Sequence, residues 1–315
     1  MGLKFYNFGV GKEEKNMNNI IKRKSKLRPH GKLTPYLFLI PSLLILGIFV
    51  FYPLIKVIVY SFQSYNVFSP PEWIGTKNYE NILKDKAFHA ALKNTILYFI
   101  IVVPILVILP VFVAILVNSK LKGIKFFRAA YYLPVITSMV VAGIAWKWIY
   151  ADSGLLNHFL VNILHISKNS IPWLTSKKTA LFAVMVVTIW KGIGYYMVIY
   201  LAGLQSISKD IWEAAEIDGA SGLKKHFLIT FPLLAPSMAI VAVMSSMAAM
   251  KVFDEIYVMT GGGPFNSTKT VVFYLYERAF SDLEMGYASA VGVILFLILL
   301  GFSMISIKIS DKKVQ

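Results

Sequence analysis

Six long apolar stretches dominate the sequence, and they leave the chain few ways to fold. They run Tyr36 to Phe62, about Thr95 to Val117, Ala129 to Tyr150, Ala180 to Leu204, Ser237 to Met259, and Tyr287 to Ile307. Crossing roughly 30 Å of hydrocarbon takes about 20 residues at about 1.5 Å each, and every stretch reaches that length. In lipid each backbone polar group must be satisfied internally, so only helices and closed barrels span it. The stretches lack strict alternation, which excludes barrel strands. The expected fold is an all-α integral membrane protein with six transmembrane helices. Composition agrees: 57% hydrophobic and only 15% charged residues cannot clothe an ordinary soluble enzyme. The chain has no cysteine, which removes disulfide frameworks, thiolate nucleophiles and Cys-ligated metal sites.

The net charge of +16 acquires a meaning once its residues are placed. Lysine and arginine crowd the segment before Tyr36 (Lys4 through Lys32), the connection after the second stretch (Lys120, Lys122, Lys125, Arg128), that after the fourth (Lys209, Lys224, Lys225), and the tail (Lys308, Lys312, Lys313). The intervening connections are poorer in them. By the positive-inside rule both termini face the cytoplasm, on the inner side of a plasma membrane. The charge is then a topology signal and not a nucleic-acid footprint. Residues 1–33 form a basic cytoplasmic segment, too polar and too basic for a cleaved signal peptide. Residues 34–309 form the membrane domain and 310–315 a cytoplasmic tail. Met17 is an alternative start, since nothing before it is needed by this topology.

Several stretches carry helix breakers: Pro41 and Pro53, Pro104 and Pro110, Pro134, and Gly192 with Gly194. These read as kinks, either static or part of a bundle that changes shape. The fifth stretch presents small residues (Ser237, Ala239, Ala242, Ser245, Ser246, Ala248, Ala249), which suits an interior or interface helix. No phosphate loop, nucleophile elbow or HExxH motif occurs, and the five histidines form no metal pair at helical spacing. No catalytic residue, metal or bound cofactor is expected of this chain.

The loop between the fourth and fifth stretches is the most informative segment. Asp210 with Glu213 makes a capping-box-like start. Ile211, Trp212, Ala214, Ala215 and Ile217 then form a short amphipathic helix, and Gly219 supplies a left-handed stop. A second short helix is expected from Ser221, ending before Pro232. Four carboxylates (Asp210, Glu213, Glu216, Asp218) would be repelled by an anionic leaflet, which favours docking to a protein over lying along the headgroups.

Here the residues carry a family resemblance. Glu213-Ala214-Ala215, three residues, Gly219, nine residues, Ile229, one residue, then Phe231-Pro232 resembles the EAA loop of ABC-importer permeases. The one departure is Phe231 where the pattern has leucine. Phe253 through Pro264, ending in Thr260-Gly261-Gly262-Gly263-Pro264, is similar to the end of the fifth span in the carbohydrate branch. Pro41-Ser42 through Ser61-Phe62 resembles the beginning of such permeases. The resemblance implies a type I ABC importer with a coupling loop over 205–235, in which Glu213, Ala214, Ala215, Asp218, Gly219, Ile229 and Pro232 engage an ATPase. It further implies a second homologous permease, two cytoplasmic ATPases holding ATP and magnesium, and an extracytoplasmic solute-binding protein. A sugar or oligosaccharide would cross by alternating access.

Charged residues within spans are costly and default to functional candidates. Lys191 lies mid-span beside Trp190 and ahead of Tyr195 and Tyr196, and aromatic faces with polar tips suit sugars. Lys251 and Asp254 stand at i and i+3, placed either to pair or to touch solute. Lys147, between Trp146 and Trp148, suits snorkelling in an aromatic belt. A self-contained secondary transporter or channel for a small polar solute is the alternative, but no internal repeat is visible, and Asp254 and Glu255 fall near a span's end.

Overall fold

The computed structural model describes residues 34–118, 123–219 and 222–314. The basic segment 1–33 with Met17, Lys120, Lys122 and Ser221 lie outside them. Tertiary contacts divide the chain into two units, one up to Lys56 and one from Val57 onward. The first unit holds α1 (Thr34–Leu46), which runs through Pro41, then a wide π-type turn (Gly47–Phe51) and the start of α2 (Tyr52–Tyr60).

The second unit opens with a minimal antiparallel hairpin, β1 (Gln63–Ser64) and β2 (Glu72–Trp73), in which Gln63 pairs with Trp73. After α3 (Lys77–Lys84) come α4 (Lys86–Val117), α5 (Ile124–Ile136), α6 (Met139–Ile149), α7 (Leu155–His158) and α8 (Ala180–Ser206). An elbow follows: α9 (Lys209–Ile217), α10 (Gly222–Lys225), a π-type turn (His226–Thr230) and α11 (Phe231–Leu233). The chain ends with α12 (Ala235–Met250), α13 (Asp254–Met259), α14 (Val271–Tyr276) and α15 (Met285–Val314).

Among the described residues, four helical segments are long and apolar enough to cross a membrane: Tyr36–Tyr60, Lys86–Val117, Ala180–Ser206 and Met285–Ser306. Two bent pairs, Phe126–Ile136 with Met139–Ile149 (103°) and His226–Leu233 with Ala235–Met250 (61°), bring the number to six when each pair counts as one span. The third expected span is therefore broken at Thr137-Ser138. The fifth ends at Met250 and resumes as α13, so its expected course to Met259 is interrupted. Gly192 and Gly194 do not break α8, and Pro104 and Pro110 lie within an unbroken α4.

The main core lies where α4, α8 and α12 meet, with Tyr98, Val102, Leu106, Val184, Met197, Tyr200, Val241 and Ala249. Lipid supplies no hydrophobic drive between helices, so close packing and interhelical hydrogen bonds hold this seam. Tyr98 Oη shares a hydrogen bond with Thr188 Oγ1, and Tyr200 Oη donates to the Val107 carbonyl at 2.8 Å. The two contacts run in the same order on both helices, so α4 and α8 are parallel. The small residues Ser245, Ser246 and Ala249 of α12 are buried, as its composition implies.

A polar knot fastens the end of the bundle where α4 begins. Asp85 caps α4, accepting from the amides of Ala87 (2.8 Å) and Phe88 (3.4 Å), and also from the hydroxyls of Tyr274 and Tyr287. Arg278 Nε donates to Tyr274 Oη at 2.8 Å, and its Nη1 reaches Asp282 and Glu284 at 3.2 Å each. Partial burial pushes the Asp85 carboxyl up, but the hydrogen bonds from Tyr274, Tyr287, Ala87 and Phe88 outweigh it and hold it below the usual range. A depressed carboxyl stabilises the fold above the pKa of the unfolded chain and loses that contribution as pH falls through the folded-state value. Acid destabilisation should therefore begin below about pH 4. Asp85→Ala should cost about 1 kcal/mol through the lost cap alone. It should also flatten that acid limb, as thermal unfolding of the detergent-solubilised protein across pH will read.

Candidate coupling elbow and polar interior

The elbow projects at the end of the bundle where α4 and α8 finish. α9 begins at Lys209, so Asp210 sits in its first turn instead of capping it, where a carboxylate still favours the positive helix end. The Asp218 amide donates to Ala214 O at 3.0 Å, and Gly219 then turns left-handed at φ +74°. Lys225 Nζ stands 4.9 Å from the centre of the Trp212 ring and ties α10 back to α9. The second helix does not end before Pro232. α10 passes through the π-type turn into α11, which contains Pro232.

Burial separates the motif residues into two groups. Glu213, Ala214, Asp218, Gly219 and Pro232 are exposed, whereas Ala215 is only 5% exposed and Ile229 is half-buried. Phe231, the departure from the resembled pattern, stacks with Phe227 at 5.4 Å and meets Phe112 of α4 edge-on at 5.7 Å. An aromatic ring thus anchors the elbow's return to the bundle. The exposed face carries a carboxylate, a small side chain and a bare glycine, which suits close seating against a partner with a charge-assisted bond at Glu213.

The interior candidates do not converge on one site. Lys191 Nζ donates to the Thr137 carbonyl. That carbonyl is freed at the C-terminal end of α5, where a cation is favoured. Trp190 meets Trp146 edge-on at 5.5 Å. Tyr196 is packed in the main core, while its neighbour Tyr195 is exposed. The i,i+3 relation between Lys251 and Asp254 does not exist, because Lys251 follows the last residue of α12 and Asp254 opens α13. Among the described residues no ion pair joins them.

Glu255, the neighbour of the candidate Asp254, is the better-placed carboxylate. Glu255 Oε1 accepts from Thr188 Oγ1 at 3.2 Å, and Thr188 in turn meets Tyr98. This Tyr98–Thr188–Glu255 chain joins α4, α8 and α13 inside the bundle. Its sequence signal is a carboxylate in an apolar stretch, but periodicity alone gives Asp254 and Glu255 equal standing. Among the described residues no group of histidines and carboxylates could hold a metal ion.

Comparison with known proteins gives a consistent result. The family described as binding-protein-dependent transport system inner membrane component matches residues 87–315. A probable ABC transporter permease protein, YurN of Bacillus subtilis (strain 168), is 35% identical over 282 residues, covering 88% of this chain and 96% of YurN. The arabinooligosaccharides transport system permease protein AraP of the same organism is 36% identical and covers 89% of both chains. Among solved structures, a bacterial ABC transporter involved in import of the acidic polysaccharide alginate matches with a TM-score of 0.77 at 22% identity, covering 94% of this chain and 99% of that one.

Proposed function

Because the chain belongs to the family of binding-protein-dependent transport system inner membrane components, we propose that it carries a sugar or oligosaccharide into the cytoplasm. It does so as one permease subunit of an ABC importer. The observation that carries this is the elbow: an exposed Glu213–Ala214 face ending in a left-handed Gly219, at one end of a helical bundle. Two cytoplasmic ATPases, one on this elbow and one on that of a second permease, would supply nucleotide turnover. An extracytoplasmic binding protein would deliver the solute to the opposite end. AraP, with its arabinooligosaccharides, supports a carbohydrate as the solute class.

In this scheme ATP binding draws the ATPases together and moves both elbows, which favours the outward-facing bundle, and hydrolysis restores the inward-facing one. Glu213, Ala214, Asp218 and Gly219 touch the ATPase, while Ala215, Ile229 and Pro232 hold the elbow's own shape. Lys191 ties the broken third span to α8, and Trp190 borders the solute route.

Orientation is tested in this cysteine-free chain with single cysteines at Phe68, which is 83% exposed, and at exposed Ser208. In intact cells a membrane-impermeant maleimide should label Phe68→Cys, and Ser208→Cys only after the membrane is opened. Labelling of both from one side would overturn the arrangement. Function is tested in proteoliposomes holding both permeases and both ATPases. Uptake of a neutral oligosaccharide should need ATP inside and the binding protein outside, and uptake independent of either would sink the proposal.

A further inference from the structure

At the end of the bundle opposite the elbow, a cleft of about 540 Å³ opens between the end of α6, the segment before α8 and the loop after α13. Its walls include Trp173, Tyr150, Lys147, Asp152 and Thr260. The two rings do not stand alone. Trp173 lies 5.9 Å from Tyr150, Tyr150 lies 5.2 Å from Trp146, and Trp146 lies 5.5 Å from Trp190. Four rings therefore pack in a row from the cleft to Trp190 of α8, with Tyr150 buried among them.

The polar ends of the two cleft rings are already engaged. Trp173 Nε1 donates to Asn157 Oδ1 at 3.1 Å, and Tyr150 Oη donates to the Ala183 carbonyl at 3.1 Å. Asn157 is itself buried and also donates to the carbonyls of Ala151 and Ile171. These bonds fix the rings in place, and because Tyr150 is packed into the core, the face of half-buried Trp173 is the one the cleft offers a ligand. A pyranose or furanose presents an apolar C–H face to such rings and hydroxyls to flanking polar groups. The cleft volume falls within the range of small-ligand sites, about 300–1,000 Å³. Lys147 and Asp152 contribute one charge of each sign, so the walls favour a neutral unit over a uronate.

Resting on the proposed role in sugar import, we propose that this cleft is an outer subsite for one neutral glycosyl unit. Trp173 is the ring on which that unit stacks as it passes from the binding protein toward the bundle, and Tyr150 and Trp146 behind it hold that ring in place. The subsite catches solute after its release and takes no part in ATPase coupling.

The test uses the complete importer in proteoliposomes, with arabinotriose and maltotriose as neutral probes and trigalacturonate as the acidic control. Trp173→Ala should lower import of the neutral probe about tenfold, the loss set by one aromatic face, while binding-protein-stimulated ATP hydrolysis stays at the wild-type rate. Trp173→Phe keeps a ring and should restore most of the import. If Trp173→Ala impairs assembly, Trp173→Leu, which keeps apolar bulk without a flat ring face, carries the same expectation. Unchanged import per ATP in the variants that lack a ring at Trp173 overturns the subsite and leaves sugar import standing, as does parallel loss of import and hydrolysis. Wild-type uptake of trigalacturonate in preference to both neutral probes overturns the neutral subsite. Uptake of none of the three overturns the sugar assignment and this inference with it.

Discussion

Gly219→Val should abolish uptake and release the ATPase while the binding protein still holds its solute. Gly219 adopts φ +74°, and a Cβ built there would meet nothing within 4 Å. Space is therefore available, and the whole penalty lies in the backbone. A residue with a Cβ in the left-handed region costs about 1–2 kcal/mol, and a β-branched one is a genuine outlier there. Gly219→Asn is the control, because asparagine visits that region readily, and it should retain most uptake. A bulk effect would penalise both variants alike. The neighbouring alanines divide in a similar way. Ala214→Glu changes only an exposed face and should weaken ATPase copurification with the chain still folded. Ala215→Glu forces a charge into a position 5% exposed and should destabilise the elbow itself. Copurification and uptake measured on each variant in membranes will separate these outcomes. Normal assembly and transport by Gly219→Val would remove the elbow from the coupling role.

What could be read from the sequence, and what could not, follows the range of the interactions. α4, α8 and α15 are plain in the sequence because an uninterrupted apolar run leaves a lipid-embedded backbone no choice but a helix. The elbow is plain because its spacing encodes a local event, one short helix stopped by one glycine. The two broken spans are hidden because the groups that make the breaks tolerable come from elsewhere in the chain. Nothing in Lys251-Val252-Phe253 resembles a helix breaker. Yet the Val252 carbonyl accepts a hydrogen bond from Thr270 Oγ1 at 2.9 Å, which offsets the loss of the helical partner. At Thr137 the freed carbonyl is taken by Lys191, 54 residues later. A carbonyl unsatisfied in hydrocarbon costs several kcal/mol. Each break therefore stands on one distant side chain that no local pattern announces. The same cause explains Lys191 itself, which reads as a solute contact in the sequence and serves a helix end in the fold. Asp254 and Glu255 differ for a related reason, since only the direction of α13 turns Glu255 toward Thr188.

Gly194→Ala should be the most damaging single methyl that α8 can receive. A Cβ there would lie 2.0 Å from the Tyr131 carbonyl oxygen and 2.9 Å from Val135 Cγ2. Both residues belong to α5, and the nearer atom is backbone, so no rotamer change relieves the clash. α5 must move away from α8 as a body. Overpacking of this kind costs about 1–3 kcal/mol. Here it would also pull the Thr137 end of α5 away from Lys191 and leave that carbonyl without its partner. Gly192→Ala provides the contrast on the same helix. Its Cβ would meet Leu106 Cδ2 at 2.7 Å, the far end of a flexible side chain, so a small shift relieves it. These glycines serve as contact points between helices and not as hinges in one. Thermal unfolding of the detergent-solubilised protein should show a large drop for Gly194→Ala and a small one for Gly192→Ala, with uptake following the same order. Equal stability of the two variants would show that α5 does not rest on α8 at Gly194.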